Sequence, residues 1–130
     1  MLFSAAYMDE GRAPALFSLA ARGACTLVSS LHAIDEAERN LRQKRPQALE
    51  RFGALLAAVR VVPDAGDGAR SAAAGVGLDP GDVPILAAAI GRADMLVTGD
   101  RKHFGRWFGR RACGVRIIAL ADIILLLLDG

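Results

Sequence analysis

Short aliphatic runs recur along this chain, each separated from the next by a helical stretch of about ten residues. That alternation constrains the fold more than any other feature. A strand buried on both faces reads as a continuous aliphatic run, and parallel neighbours need a crossover helix between them. The runs are Ala24-Cys25-Thr26-Leu27-Val28-Ser29, Arg60-Val61-Val62-Pro63, Asp94-Met95-Leu96-Val97-Thr98-Gly99 and Gly114-Val115-Arg116-Ile117-Ile118-Ala119. The intervening pattern predicts helices over Pro14 to Arg22, stopped by Gly23, and from Leu31 to about Lys44, capped by Ser29 or Ser30. On the second of these, Leu31, Ile34 and Leu41 form the expected apolar stripe. Pro46 opens a further helix through Leu49, Phe52, Leu55, Leu56 and Val59. A Gly/Asp-rich loop and a short alanine helix lead to the turn Gly77-Leu78-Asp79-Pro80-Gly81. Then comes a helix over Val83 to Ile90, with Asp82 as its expected cap and Pro84 in its first turn. Arg101 to Phe108 reads as a helical turn, and Ala121 to Leu128 as the last helix. The expected architecture is α/β, a three-layer α/β/α sandwich with a mainly parallel central sheet, in one domain over residues 1–130.

Composition excludes several alternatives. Hydrophobic residues make up 53% of the chain and charged ones 23%, too apolar for disorder. Only 5% is aromatic, which argues against an aromatic-girdled barrel. Two cysteines, Cys25 and Cys113, are too few for a disulfide framework and suit a reducing, cytoplasmic location. Cys113, beside Gly114, reads as a small buried hydrophobe. The apolar stretch Ile117 to Leu128 is shorter than a bilayer span and is interrupted by Asp122, so it reads as a strand followed by a buried helix, with a peripheral, interfacial role as the alternative and no membrane partner expected. The net charge of +2 names no partner by itself.

Chain order also places acids. Asp100 follows the strand Met95 to Thr98, Asp82 heads the helix leading into that strand, and Glu36 lies on the helix after Leu27-Val28. All three therefore fall toward one edge of the sheet, where carboxylates persist together only if a cation or proton compensates them. Taken singly, Asp82 and Asp100 read as helix caps and Glu36 as a solvated charge. His103 reads as a surface histidine, with approach to a cleft as the alternative; His32 reads as exposed. No dinucleotide fingerprint or phosphate-binding loop is present.

The block Asp82-Val83-Pro84-Ile85-Leu86-Ala87-Ala88-Ala89, followed by Ala93-Asp94-Met95-Leu96-Val97-Thr98-Gly99-Asp100-Arg101-Lys102-His103-Phe104, resembles the C-terminal half of a PIN domain. The stretch Leu27-Val28-Ser29 through Ile34-Asp35-Glu36-Ala37-Glu38-Arg39-Asn40-Leu41 resembles that family's second motif. The resemblance implies an endoribonuclease dependent on Mg²⁺ or Mn²⁺, often the toxin of a toxin–antitoxin pair. It implies Glu36, Asp82 and Asp100 as metal ligands and catalytic residues, with Thr98 bonding a ligand carboxylate or a water. The expected partners are RNA, a cognate antitoxin protein and a second copy in a homodimer. Arg101, Lys102, Arg106 and Arg110, interleaved with Phe104, Trp107 and Phe108, are the expected RNA-binding residues; a solvated basic surface with its aromatics in the core is the alternative. A PIN-like scaffold that binds without cutting, and a phosphohydrolase of small molecules, are the competing functions.

Similar domains begin with a strand ending in Asp, followed after a spacer by a segment like Leu2-Phe3-Ser4-Ala5-Ala6. That strand and its acid have no counterpart here, and Asp9 and Glu10 are not expected to substitute. The reading is a start codon assigned too late, with a degenerate, non-cleaving relative as the alternative. Such a strand would be central, leaving its two neighbours with unpaired backbone groups.

Overall fold

The structure is a computed structural model that describes residues 12–129. The expectations for Leu2–Ala6, Asp9 and Glu10 lie outside the described residues. Among those described, the four anticipated strands follow one another in the expected order with a fifth added, giving seven α-helices and five strands. They are α1 (Arg12–Ala21), β1 (Leu27–Ser30), α2 (Leu31–Lys44), α3 (Leu49–Leu56), β2 (Val59–Val62), α4 (Asp67–Ala74), α5 (Val83–Ala89), β3 (Met95–Thr98), α6 (Arg101–Phe104), β4 (Arg111–Ala112), β5 (Val115–Ala119) and α7 (Leu120–Asp129).

Local chemistry explains most boundaries. Ser30 is extended and its hydroxyl accepts from the Ala33 N–H at 3.2 Å, satisfying one donor that α2 leaves open. A second donor, the His32 N–H, reaches the Asp64 carboxylate at 2.9 Å, tying the start of α2 to the loop after β2. Pro46 does not begin the α-helix itself; it opens a 3-10 turn, Pro46–Ala48, before α3. The buried residues of α2 are Ile34, Ala37 and Leu41, whereas Leu31 is exposed. Leu31 is the first helical residue, and its side chain clears the α2–α3 core of Leu41, Ala48 and Phe52.

β3 and β5 pair in parallel, with Leu96 opposite Ile117 and Thr98 opposite Ala119. Their side chains alternate between two cores. Leu96 and Ile117 enter a cluster with Leu86, Ala87 and Phe104 of α5 and α6, while Met95, Val97 and Ile118 meet Leu16 of α1 and Ile123 of α7. Helices therefore cover both faces, as an α/β sandwich requires.

The sheet departs from a single continuous layer. β1 and β2 form a parallel pair, and β3, β5 and β4 form a separate sheet in that spatial order. The break falls between β1 and β3. The antiparallel strand β4 was not anticipated; it joins β5 through Cys113-Gly114, where both residues have positive φ, +52° and +78°. Cys113 is accordingly exposed at a hairpin tip rather than buried, its thiol 3.5 Å from the Ala72 carbonyl oxygen. No helix among the described residues is long and apolar enough to cross a membrane.

Candidate metal centre

Thr98 ends β3, Gly99 breaks it, and Asp100 caps α6. The Asp100 Oδ1 accepts from the His103 N–H at 3.0 Å, while the Thr98 hydroxyl accepts from the Asp100 N–H at 3.1 Å. Together these bonds fix the turn and aim Asp100 Oδ2 toward the His103 ring, 3.1 Å from Nδ1. Thr98 thus positions Asp100 through its backbone rather than through its carboxylate.

Asp82 reaches the same point from α5. Its expected capping bond is absent: the residue has helical φ and ψ and its side chain accepts nothing from α5. Asp79 takes the local capping work instead, accepting from the Gly81 N–H at 3.3 Å before the 3-10 turn Pro80–Asp82. The Asp82 carboxyl is thereby released, and its Oδ2 lies 2.8 Å from His103 Nδ1. The contact lacks hydrogen-bond geometry, so both buried atoms face each other as a close carboxylate–imidazole pair without a hydrogen-bond partner. Burial pushes the Asp82 carboxyl up; His103 lowers it, and the charges of Asp100 and Asp79 raise it further. The Asp79 Oδ2 stands 3.7 Å from His103 Nε2.

One ligand atom each from Asp82, Asp100 and His103 lies within 4.8 Å of the others. Two carboxylates and an imidazole at that separation fit a divalent cation, which would satisfy the two orphaned buried atoms and offset the acids' repulsion. Asp82 and Asp100 are therefore brought together as expected. Glu36 is not in this group: it is exposed, 3.4 Å from His32 one turn earlier on α2. Its helix follows β1, on the far side of the break in the sheet. His103 is the member that sequence reasoning undervalued. Its signal was the i,i+3 spacing from Asp100 at a helix start, which sets both on one face.

A family model described as PIN domain matches residues 1–102. The chain belongs to the PIN domain family. The match contains the α5 acid, the Thr98-Gly99-Asp100 turn and the Glu36 helix, but ends before His103. No curated protein and no solved structure matches the chain. PIN domains are typically nucleases that act on RNA and use a divalent metal.

The basic segment follows the acids directly. Arg101, Lys102, Arg106 and Arg110 are all exposed. Arg106 is already engaged, donating to the Gly77 carbonyl at 3.0 Å and lying 5.8 Å from the centre of the Trp107 ring. Phe104 is 2% exposed, and Trp107 and Phe108 pack partly buried against the same core. The aromatics of this segment thus serve the core, and its cations form the surface.

Proposed function

We propose that this PIN domain is a metal-dependent endoribonuclease, with Mg²⁺ or Mn²⁺ held by Asp82 and Asp100. The observation that carries the reading is the convergence of Asp82, Asp100 and His103 at the carboxyl end of β3, with buried polar atoms left unsatisfied. Bound there, the ion would supply Lewis-acid activation of water and offset charge building on a phosphodiester. Asp100, fixed by Thr98 and the start of α6, and Asp82, released from capping, are the carboxylates that would hold the ion. His103 lies between the two carboxylates and orients both. Arg101 and Lys102 draw phosphates toward them, with Arg106 and Arg110 farther along the same surface. Glu36 stands apart from these acids and pairs with His32. A cognate antitoxin protein, a homodimer and a cytoplasmic setting fit this reading.

The test is cleavage of a mixed RNA pool with and without Mn²⁺. Asp100→Asn retains the capping oxygen and drops the charge, so it is expected to abolish cleavage while the circular dichroism spectrum stays unchanged. Full activity in that variant rules the mechanism out. The separation of Glu36 from the other acids favours one second reading, an RNA-binding scaffold. Metal-independent RNA binding with no cleavage at any Mn²⁺ concentration would establish it.

A further inference from the structure

The two ring nitrogens of His103 face three carboxylates, and they are placed differently. Nδ1 lies 2.8 Å from Asp82 Oδ2 and 3.1 Å from Asp100 Oδ2, yet it has hydrogen-bond geometry to neither. That atom is buried although the side chain is 35% exposed, and Asp82, which carries the other orphaned atom, is only 9% exposed. An ion pair formed for its own sake would turn the ring until one N–H pointed straight at one oxygen, where such a bond is strongest. The observed compromise is that of donor atoms facing a common point. Ligands at right angles around an ion, each about 2.1 Å from it, stand about 3.0 Å apart. A nitrogen lone pair aimed at that ion runs about 45° off the line to each neighbouring ligand. A hydrogen placed on such a nitrogen makes an N–H···O angle under about 120°, outside hydrogen-bond range. The two distances straddle 3.0 Å, and the missing hydrogen bonds are those this arrangement forbids.

The far nitrogen gives a separate sign. Nε2 faces Asp79 Oδ2 at 3.7 Å, while Asp79 Oδ1 is taken by the Gly81 N–H. A carboxylate on that side favours the tautomer with its proton on Nε2, which leaves the Nδ1 lone pair free; metal-bound histidines are commonly held in this way. The family match ends at residue 102, so it assigns His103 no part. Resting on the metal-dependent reading proposed above, we infer that His103 Nδ1 is a ligand of the same ion as Asp82 and Asp100, and that this nitrogen makes the centre prefer Mn²⁺ to Mg²⁺. Sites built of oxygen alone suit Mg²⁺, whereas an imidazole donor favours transition metals. His103 is then a donor as well as the spacer between the two acids.

The chain has two histidines, His32 and His103, so a coordinating nitrogen can be assigned by elimination. The untagged full chain is loaded with Mn²⁺ and examined by pulsed electron paramagnetic resonance, unlabelled and with ¹⁵N-histidine. A nitrogen coupling that changes with the label is expected, retained in His32→Gln and lost in His103→Gln. His32 is exposed on α2, so its variant keeps the fold and carries the assignment even where His103→Gln does not fold. Mn²⁺ binding is also titrated directly, and Mg²⁺ binding by competition against it. The native chain should bind Mn²⁺ more tightly than Mg²⁺, and His103→Gln should weaken Mn²⁺ by about tenfold or more and Mg²⁺ much less. Saturable Mn²⁺ binding without a histidine coupling would overturn the inference and leave the metal centre standing. Loss of the coupling in His32→Gln would overturn it as well. Equal weakening of both metals in His103→Gln would reduce His103 to a positioning residue, and so would also overturn it. Absence of saturable Mn²⁺ binding would overturn it together with the reading on which it rests.

Discussion

At the scale of single residues, Asp82 decides what the acidic cluster is for. A carboxyl whose proton affinity is raised by burial contributes stability that is present below its ordinary, unfolded-state value and lost as pH rises through the higher folded one. Near neutrality the charged Asp82 is therefore a burden on the metal-free fold, relieved only partly by His103. Asp82→Asn is expected to raise the melting temperature of the metal-free protein at pH 7, with the gain vanishing as pH falls below the ordinary carboxylate range. Addition of Mn²⁺ should reverse the order. An ion that binds only the folded state stabilises it by mass action, so the native chain should gain several degrees and the variant little. Thermal melts at two pH values, each with and without Mn²⁺, check both signs. A native melting temperature indifferent to Mn²⁺ would remove the metal centre. The half-legibility of this site also belongs at this scale. Asp82 and Asp100 could be placed from sequence because each is pinned to the end of a recognisable element. Glu36 could not be, because its distance from them depends on how far β1 stands from β3, which no local pattern encodes.

At the scale of elements, the hairpin between β4 and β5 is the clearest local conflict. Two-residue hairpin loops with positive φ at both positions favour Asn-Gly or Asp-Gly, whereas here Cys113 holds φ +52° beside Gly114. A non-glycine residue in the left-handed region costs roughly 1 kcal/mol, less for Asn. Cys113→Asn should therefore stabilise the fold by up to about 1 kcal/mol in denaturant titration, offset in part by loss of the weak thiol contact to Ala72. A loss of stability would show that this contact outweighs the backbone strain. The same hairpin shows why part of the fold stayed hidden in the sequence. α2 was legible from end to end because Ser30 caps it and Pro46 follows it closely. β4, two residues long, exists only because the turn returns Ala112 to Val115, and Cys-Gly is a weak turn signal. Asp82 as a cap failed for a related reason. Asp79-Pro80-Gly81 forms its own capped turn, which leaves the Asp82 side chain without a capping role.

At the scale of the whole molecule, the question is how a chain with a net charge of only +2 would hold a polyanion. Distribution answers it better than the total. Lysine and arginine number 16 against 14 acids, yet Arg101 and Lys102 stand beside Asp100, at the mouth of the acidic cluster. A phosphate seated between them and a bound ion would meet positive charge on both sides. Arg106 has a second role, because its bond to the Gly77 carbonyl ties α6 and its following turn to the loop after α4. The four cations should therefore separate in experiment. Single-strand binding releases counterions, and each neutralised phosphate contributes about 0.7 to the slope of log affinity against log salt. Replacing Arg101 and Lys102 together with alanine should flatten that slope by about 1.4, leaving the melting temperature within a degree or so. Arg106→Ala should lower the melting temperature, through loss of the Gly77 bond and the Trp107 contact, in addition to any effect on RNA. Fluorescence anisotropy on a labelled single-stranded RNA, at four salt concentrations and without divalent metal, measures the slopes. An unchanged slope in the Arg101/Lys102 variant would return that surface to ordinary solvated charge.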